Sequence, residues 1–421
     1  MFEKEKKYFP IKTKTACQLK WNWSTIILTE GTTSSCHRCL KVPLDKDNFD
    51  NFHNLPHKIK EREIMLQGKW PTKENGGSGH CTYCKDIEDS GGLSDRQHHL
   101  NIPNQVPEEL ENDTTLTKIT PKVLEIFLNK TCNLKCTYCN TRNSTQWNIE
   151  SKKFGPLKDT NGNEFSGYTF SESVPEHRQL FEKSMDWIKR NGSKLTRLHL
   201  LGGETFYQSE LQEVIDTLSS LKNPNLELNI VSNLMVKENT YKNYIEQIKK
   251  LCIDRNIGRF DLTVSIDGWG KEAELARFGL KLDHWEKLFQ YTVNQKWIFL
   301  NTNQVITALT MRTIPDLINI IQKYRKIRTI NQEITFVDGR EWMHPKIFGK
   351  KFWENDIKKI LDIMPEDNEN NKNAKKYMAG CLNSLPDKQN KKLIQELKYF
   401  LDQLDRRRNT NWKEVYPYLD I

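Results

Sequence analysis

Residues 122–140 read KVLEIFLNKTCNLKCTYCN, and two features in immediate succession decide how the rest of the chain is read. Val123, Leu124, Ile126, Phe127 and Leu128 make the opening a short apolar run, with the length and composition of a strand buried in a parallel sheet. A loop follows at once, holding Cys132, Cys136 and Cys139 in the spacing C-x3-C-x2-C. At this chain's cysteine frequency, random placement would give about 0.006 such triplets per chain, so the spacing asks for a chemical reason. Three thiols this close read as metal ligands. A tetrahedral zinc site wants a fourth protein ligand to close it, and the nearest histidines lie far along the chain. A cubane iron–sulfur cluster accepts three thiolates and leaves one iron open.

Working outward from that loop, strand-like and helix-like stretches alternate. Strands are expected over 195–201, 226–232, 260–266, 297–309 (interrupted) and 333–337. Helices are expected over 175–190, 209–221, 237–255, 271–293 and 314–324. With 122–129 these make six strand–helix units, an α/β chain with a parallel sheet and right-handed crossovers, which fits a partial (βα)6 barrel. In such barrels the loops at the C-terminal strand ends build the active site. The second strand ends in Gly202-Gly203-Glu204, the third in Ser232-Asn233 and the fourth in Ser265-Ile266-Asp267-Gly268. Paired glycines let a backbone approach a ligand closely, and a carboxylate beside them can hold an ammonium group. The same residue types are ordinary turn formers after strands. Glu274 and Arg277, at i,i+3, read as a surface ion pair at a helix start. Asn301, Asn303 and Gln304 on the fifth strand could face the barrel mouth or point away from it.

On these residues the chain resembles the radical S-adenosylmethionine (SAM) superfamily, whose defining motif is this cysteine spacing just after the first barrel strand. The resemblance implies a TIM-like partial barrel in which Cys132, Cys136 and Cys139 ligate a 4Fe-4S cluster, with Tyr138 as the aromatic often found between the last two. It implies that SAM binds the open iron and is cleaved reductively to a 5′-deoxyadenosyl radical that abstracts hydrogen from a substrate. Gly202, Gly203 and Glu204 are then the SAM-binding GGE motif. Ser232, Asn233, Ser265 and Asp267 are contacts to SAM's ribose and carboxylate, and Arg277, in a stretch resembling E-x-x-R-x-G, is a further carboxylate contact. A peptide or a small metabolite is the favoured substrate, and an external donor such as flavodoxin or ferredoxin would supply electrons.

Residues 1–118 precede the barrel (119–340) and carry Cys17, Cys36, Cys39, Cys81 and Cys84, which imply a module of their own. Cys17, thirteen residues, Gly31, four residues and Cys36 resemble half of the SPASM and twitch auxiliary-cluster motifs. The segment from Met65 to Pro71, then Cys81-Thr82-Tyr83-Cys84 with Glu88, Gly91, Ser94 and Arg96, resembles part of twitch-domain radical SAM proteins through to Asn101. In the best-known members this module follows the barrel; here it precedes it. The resemblance implies an auxiliary 4Fe-4S cluster held by Cys17, Cys36, Cys81 and Cys84, with Cys39 able to replace Cys36. Two CxxC pairs are also a zinc-ribbon signature, which leaves zinc on Cys36, Cys39, Cys81 and Cys84 as the alternative, with His80 able to join it. Cys252 and Cys381 are isolated and read as small buried apolar side chains.

The 421 residues carry 64 Lys and Arg against 55 Asp and Glu, a formal +9, with 36% apolar and 10% aromatic residues, enough for a sizeable core. Basic residues are spread along the chain, which argues against a dedicated nucleic-acid binder, and the charged cluster Glu3-Lys4-Glu5-Lys6-Lys7 and Arg406-Arg407-Arg408 read as solvated ends. The charged first ten residues lack a secretory apolar core, and no run reaches membrane-spanning length, so a cytoplasmic protein without membrane contact is expected. In that compartment grouped thiols stay reduced. Residues 341–421 are expected as a helical C-terminal extension, with helices over 353–364 and 391–404 and a polar loop over 365–376. A non-catalytic iron–sulfur or zinc scaffold, or an electron-transfer protein, stays open as the alternative to an enzyme.

Overall fold

The computed structural model describes residues 7–100, 102–112 and 118–420; the charged residues 3–6 and Asn101 lie outside them. Eleven strands occur among these: β1 Trp23–Ile27, β2 Thr32–Ser34, β3 Val42–Pro43, β4 Val123–Phe127, β5 Lys135–Cys136, β6 Arg197–Leu201, β7 Glu227–Ser232, β8 Arg259–Ser265, β9 Arg277–Phe278, β10 Phe299–Ile306 and β11 Asn331–Phe336. Nine form one sheet in the order β11-β10-β8-β7-β6-β4-β1-β2-β3, while β5 and β9 pair separately. Within the nine-stranded sheet the pairings that join β4, β6, β7, β8, β10 and β11 are all parallel, so the six expected strands are present, the fifth trimmed at both ends.

The strand pattern explains the layering. Leu124 and Ile126 on β4, Leu198 and Leu200 on β6, Leu228 and Ile230 on β7, and Leu262 and Val264 on β8 are fully buried in one core with Leu180, Phe181 and Ile188 of helix His177–Asn191. Each such side chain contributes about 1.5–3 kcal/mol on burial. Between them, at period two, stand Glu125, His199, Asn229, Asp261 and Thr263, which gives the sheet a polar second face. Glu125 accepts a hydrogen bond from Thr25 Oγ1 (2.8 Å) and lies 3.3 Å from His199 Nδ1.

The N-terminal residues are joined to this sheet. β1 runs parallel to β4 in the register Trp23↔Val123 through Ile27↔Phe127, and β2 and β3 continue antiparallel beyond it. At the opposite edge, the C-terminal helices share a second core with the last strands: Ile306, Ile318 and Ile334 lie with Trp353, Met378 and Phe400. The 365–376 loop expectation is corrected there. Helix Glu369–Asn383 begins within it, Asn368 capping the N–H of Asn371. Asn371 Oδ1 in turn accepts from the backbone N–H of Gln332 on β11 (3.0 Å), occupying a donor on that edge strand.

The continuous helix expected over 271–293 is also corrected. It is split into Lys271–Ala276 and Leu282–Asn294, and Arg277 leaves the first helix to pair with β5. Gly279, at φ +105°, supplies the left-handed turn between them. Cys252 and Cys381 are half-buried rather than buried.

Candidate functional site

The loop after β4 is tied on several sides. Thr145 Oγ1 donates to Cys132 O (3.1 Å), Trp147 Nε1 to Cys136 O (2.8 Å) and Tyr168 Oη to Thr137 O (2.5 Å), so three side chains grip the backbone that carries the thiols. Cys136 lies in β5 opposite Arg277 of β9. Cys132 and Cys136 are buried, Cys139 is half-buried, and all three are free thiols. Burial pushes the Cys136 thiol up to about 12, partly opposed by the Arg277 charge. The Leu134 N–H (3.5 Å) and Asn233 Nδ2 (3.8 Å) both point at Cys132 Sγ, donors suited to a thiolate.

The two glycines after β6 do a job the sequence did not specify. Their chain runs against the exit of β4, with the Gly203 N–H donating to Asn129 O (2.9 Å) and the Glu204 N–H to Thr131 O (2.8 Å). A Cβ on Gly202 would stand 2.3 Å from Asn129 O, and one on Gly203 2.3 Å from Thr131 O. The backbone they approach is therefore the one leading into Cys132.

Glu204 is fully buried and accepts from Ser232 Oγ (2.8 Å), the Asn233 N–H (2.6 Å) and the Phe206 N–H (3.2 Å). Asn233 thus links this carboxylate to the first thiol. Desolvation raises the Glu204 carboxyl to about 7 against the pull of those donors. A raised folded pKa means stability that is full below the unfolded value near 4.5 and is lost as pH climbs through about 7. The stability difference between wild type and Glu204→Gln should therefore fall by about 3 kcal/mol from pH 4.5 to pH 8, measured by urea unfolding of the metal-free protein. A difference constant across that range would show that Glu204 ionises normally.

Asp267, Arg277 and Tyr138 meet one another. Asp267 is fully buried, receives Arg277 Nε (2.7 Å) and Nη2 (2.8 Å) in a bidentate pair, and also accepts from Tyr138 Oη (2.8 Å) and the Val305 N–H (3.0 Å). The surface Glu274–Arg277 pair expected from the sequence is corrected by this geometry: Arg277 is buried, and Glu274 instead accepts from the Leu282 N–H (2.9 Å). Ser265 is half-buried at the end of β8, opposite Asn303 of β10.

Below the cysteine loop lies a group that sequence reasoning missed. Glu150 receives Lys135 Nζ (2.5 Å) and both Arg408 Nε (3.1 Å) and Nη2 (3.3 Å), and the Arg408 guanidinium sits 4.5 Å from the centre of the Trp147 ring and 4.9 Å from that of Phe278. The solvated end expected for Arg408 is corrected here: its side chain is 1% exposed.

The five N-terminal cysteines line one small cavity, which Met65, Trp70 and His80 also border. Cys36 Sγ and Cys39 Sγ stand 3.2 Å apart, and the buried Lys20 Nζ lies 2.9 Å from Cys39 Sγ while pairing with Glu61. Hydrogen bonds from Cys36 and Cys81, with the Lys20 charge, hold the Cys39 thiol well below its ordinary value. Burial pushes Cys17 up to about 12. Glu88 and Arg96, quoted for the resemblance, form a partly buried ion pair (2.5 Å), and Ser94 caps helix Asp95–His99 and donates to Glu88. Among the described residues, no group of three His, Cys, Asp or Glu side chains is arranged to hold a metal ion, and no helix is long and apolar enough to cross a membrane.

These features define an α/β chain with a large parallel sheet and thiols gathered after its β4 strand. Two solved structures are similar to it. One is of Streptococcus suis SuiB, 14% identical with a TM-score of 0.35 over 74% of this chain and 60% of that one. The other is anSMEcpe with bound AdoMet and Kp18Cys peptide, 16% identical with a TM-score of 0.37 over 58% of this chain and 60% of that one. The similarity thus spans 60% of the length of each of these proteins. No family model and no curated protein sequence matches the chain.

Proposed function

We propose that this chain is a radical SAM enzyme: a barrel over 119–340 with a cluster site at Cys132, Cys136 and Cys139, a twitch-like auxiliary module over 1–118 and a helical extension over 341–421. The observation that carries the reading is the C-x3-C-x2-C loop at the end of β4, with the GGE turn of β6 hydrogen-bonded along the chain leading into it. The donor set suits the group. Three free thiols are offered, two hydrogen-bond donors face the first, and one cluster iron would be left for another ligand. When bound, the 4Fe-4S cluster with SAM supplies reductive cleavage to a 5′-deoxyadenosyl radical. The chain's own part is to bind, orient and shelter. Thr145, Trp147 and Tyr168 fix the loop, Asn233 couples Cys132 to Glu204, and Asp267 with Arg277 and Tyr138 braces the neighbouring strand ends. The remaining SAM contacts fall to Gly202, Gly203, Ser232 and Ser265. The substrate is a peptide or small molecule, the electron donor a flavodoxin or ferredoxin, and the compartment the cytoplasm.

The test is anaerobic reconstitution with iron and sulfide, followed by SAM and dithionite. Release of 5′-deoxyadenosine is expected from wild type and is expected to vanish, with loss of about four irons, when the three barrel cysteines become alanine. Iron at full content with no 5′-deoxyadenosine, alone or with candidate peptides, would move the chain to the scaffold class.

A further inference from the structure

We propose that Lys20 is a positioning residue of the N-terminal thiol site: its buried ammonium holds Cys39 as a ligand of the auxiliary 4Fe-4S cluster and raises that cluster's reduction potential. The inference rests on the auxiliary-cluster reading and assigns a ligand and a control element within it.

Lys20 lies three residues after Cys17 on helix Gln18–Asn22, its side chain only 2% exposed. Such a cation is stable in the interior only against negative charge. It has two partners, the Glu61 carboxylate and Cys39 Sγ at 2.9 Å. The contact with sulfur is a charge-assisted hydrogen bond only if that sulfur is a thiolate. The cavity wall repeats the arrangement. Lys20 and Arg96 line it without their carboxylate partners Glu61 and Glu88, while Arg38 lines it together with its partner Asp95, so two of these three ion pairs bring only their cation to the cavity wall. Glu61 is itself held from behind by Ser78, whose hydroxyl donates to it at 2.5 Å. A pocket that presents cations to sulfur suits an anionic metal–thiolate occupant.

Hydrogen bonds to ligating sulfur and local net charge set the potential of an iron–sulfur cluster. Reduction adds one electron, here from dithionite, and breaks no bond. An ammonium in contact with a ligand sulfur stabilises the more negative reduced form, and Glu61 moderates that effect.

The experiment uses the full chain with Cys132, Cys136 and Cys139 changed to alanine, reconstituted with iron and sulfide and titrated with dithionite under electron paramagnetic resonance. Lys20→Met should lower the equilibrium constant for cluster reduction at least tenfold, about 59 mV for one electron. Lys20→Arg should restore most of the loss, and Glu61→Gln should shift the potential the opposite way. Cys39→Ala should reduce bound iron. An unchanged potential in Lys20→Met with full iron overturns the inference while leaving the cluster in place. Should Lys20→Met fail to assemble a cluster, Glu61→Gln decides, because it keeps the ammonium; no upward shift there overturns the inference too. Absence of iron from the parent would overturn the auxiliary-cluster reading itself, and the iron count tells the two failures apart.

Discussion

Arg277→Met is expected to cost about 3–5 kcal/mol of folding stability, because it strands the Asp267 carboxylate in the interior with only Tyr138 Oη and the Val305 N–H for company. The cost is one of an uncompensated charge, so it should be largely recovered in Arg277→Met combined with Asp267→Leu, where nothing charged is left buried. Urea unfolding of the metal-free protein measures both variants, with the slope checked for constancy. Equal destabilisation in the single and the double variant would mean that the pair contributes packing rather than charge compensation. The same variant should bind the barrel cluster less well, since Arg277 faces Cys136 across the β5–β9 pairing.

Glu150→Met is the second large effect. Glu150 is 2% exposed and stands between Lys135 and Arg408, so its removal leaves the almost fully buried Arg408 guanidinium without its carboxylate, again at about 3–5 kcal/mol. The consequence reaches the thiols. Lys135 precedes Cys136, and Trp147, which holds Cys136 O, lies beneath the Arg408 guanidinium. Iron bound at the three barrel cysteines should therefore be released faster to a chelator in Glu150→Met than in a surface control such as Glu182→Met. Equal release rates would confine Glu150 to anchoring the last helix.

The parallel strands were legible because their evidence is local: short apolar runs such as 198–201 and 226–232 bounded by turn residues. The C-x3-C-x2-C spacing was legible for the same reason. Arg277 was not. Helical periodicity resumes after Gly279, so the local pattern runs across the break, and contact with Asp267 and β5 is what places Arg277 outside the first helix. Arg408 in a triplet of arginines reads as surface until Glu150, 258 residues away, is placed beside it. Lys20 and Glu61 are 41 residues apart and leave no pattern either. β1 is not legible because Trp23–Ile27 is short and Ser24 and Thr25 interrupt its apolar run. The helix Glu369–Asn383 had a cue in Asn368 followed by Glu369, but its polar composition masked it.

The pairing of β1 with β4 has a consequence for anyone who would treat the two ends of this protein as exchangeable parts. Cutting at the boundary before residue 119 would strip one whole side of hydrogen bonding from the strand that leads to Cys132, and the naked flank would recruit other chains. Excision should yield aggregates rather than a working fragment, and transplantation onto another barrel would succeed only if the recipient offered a vacant flank in matching register.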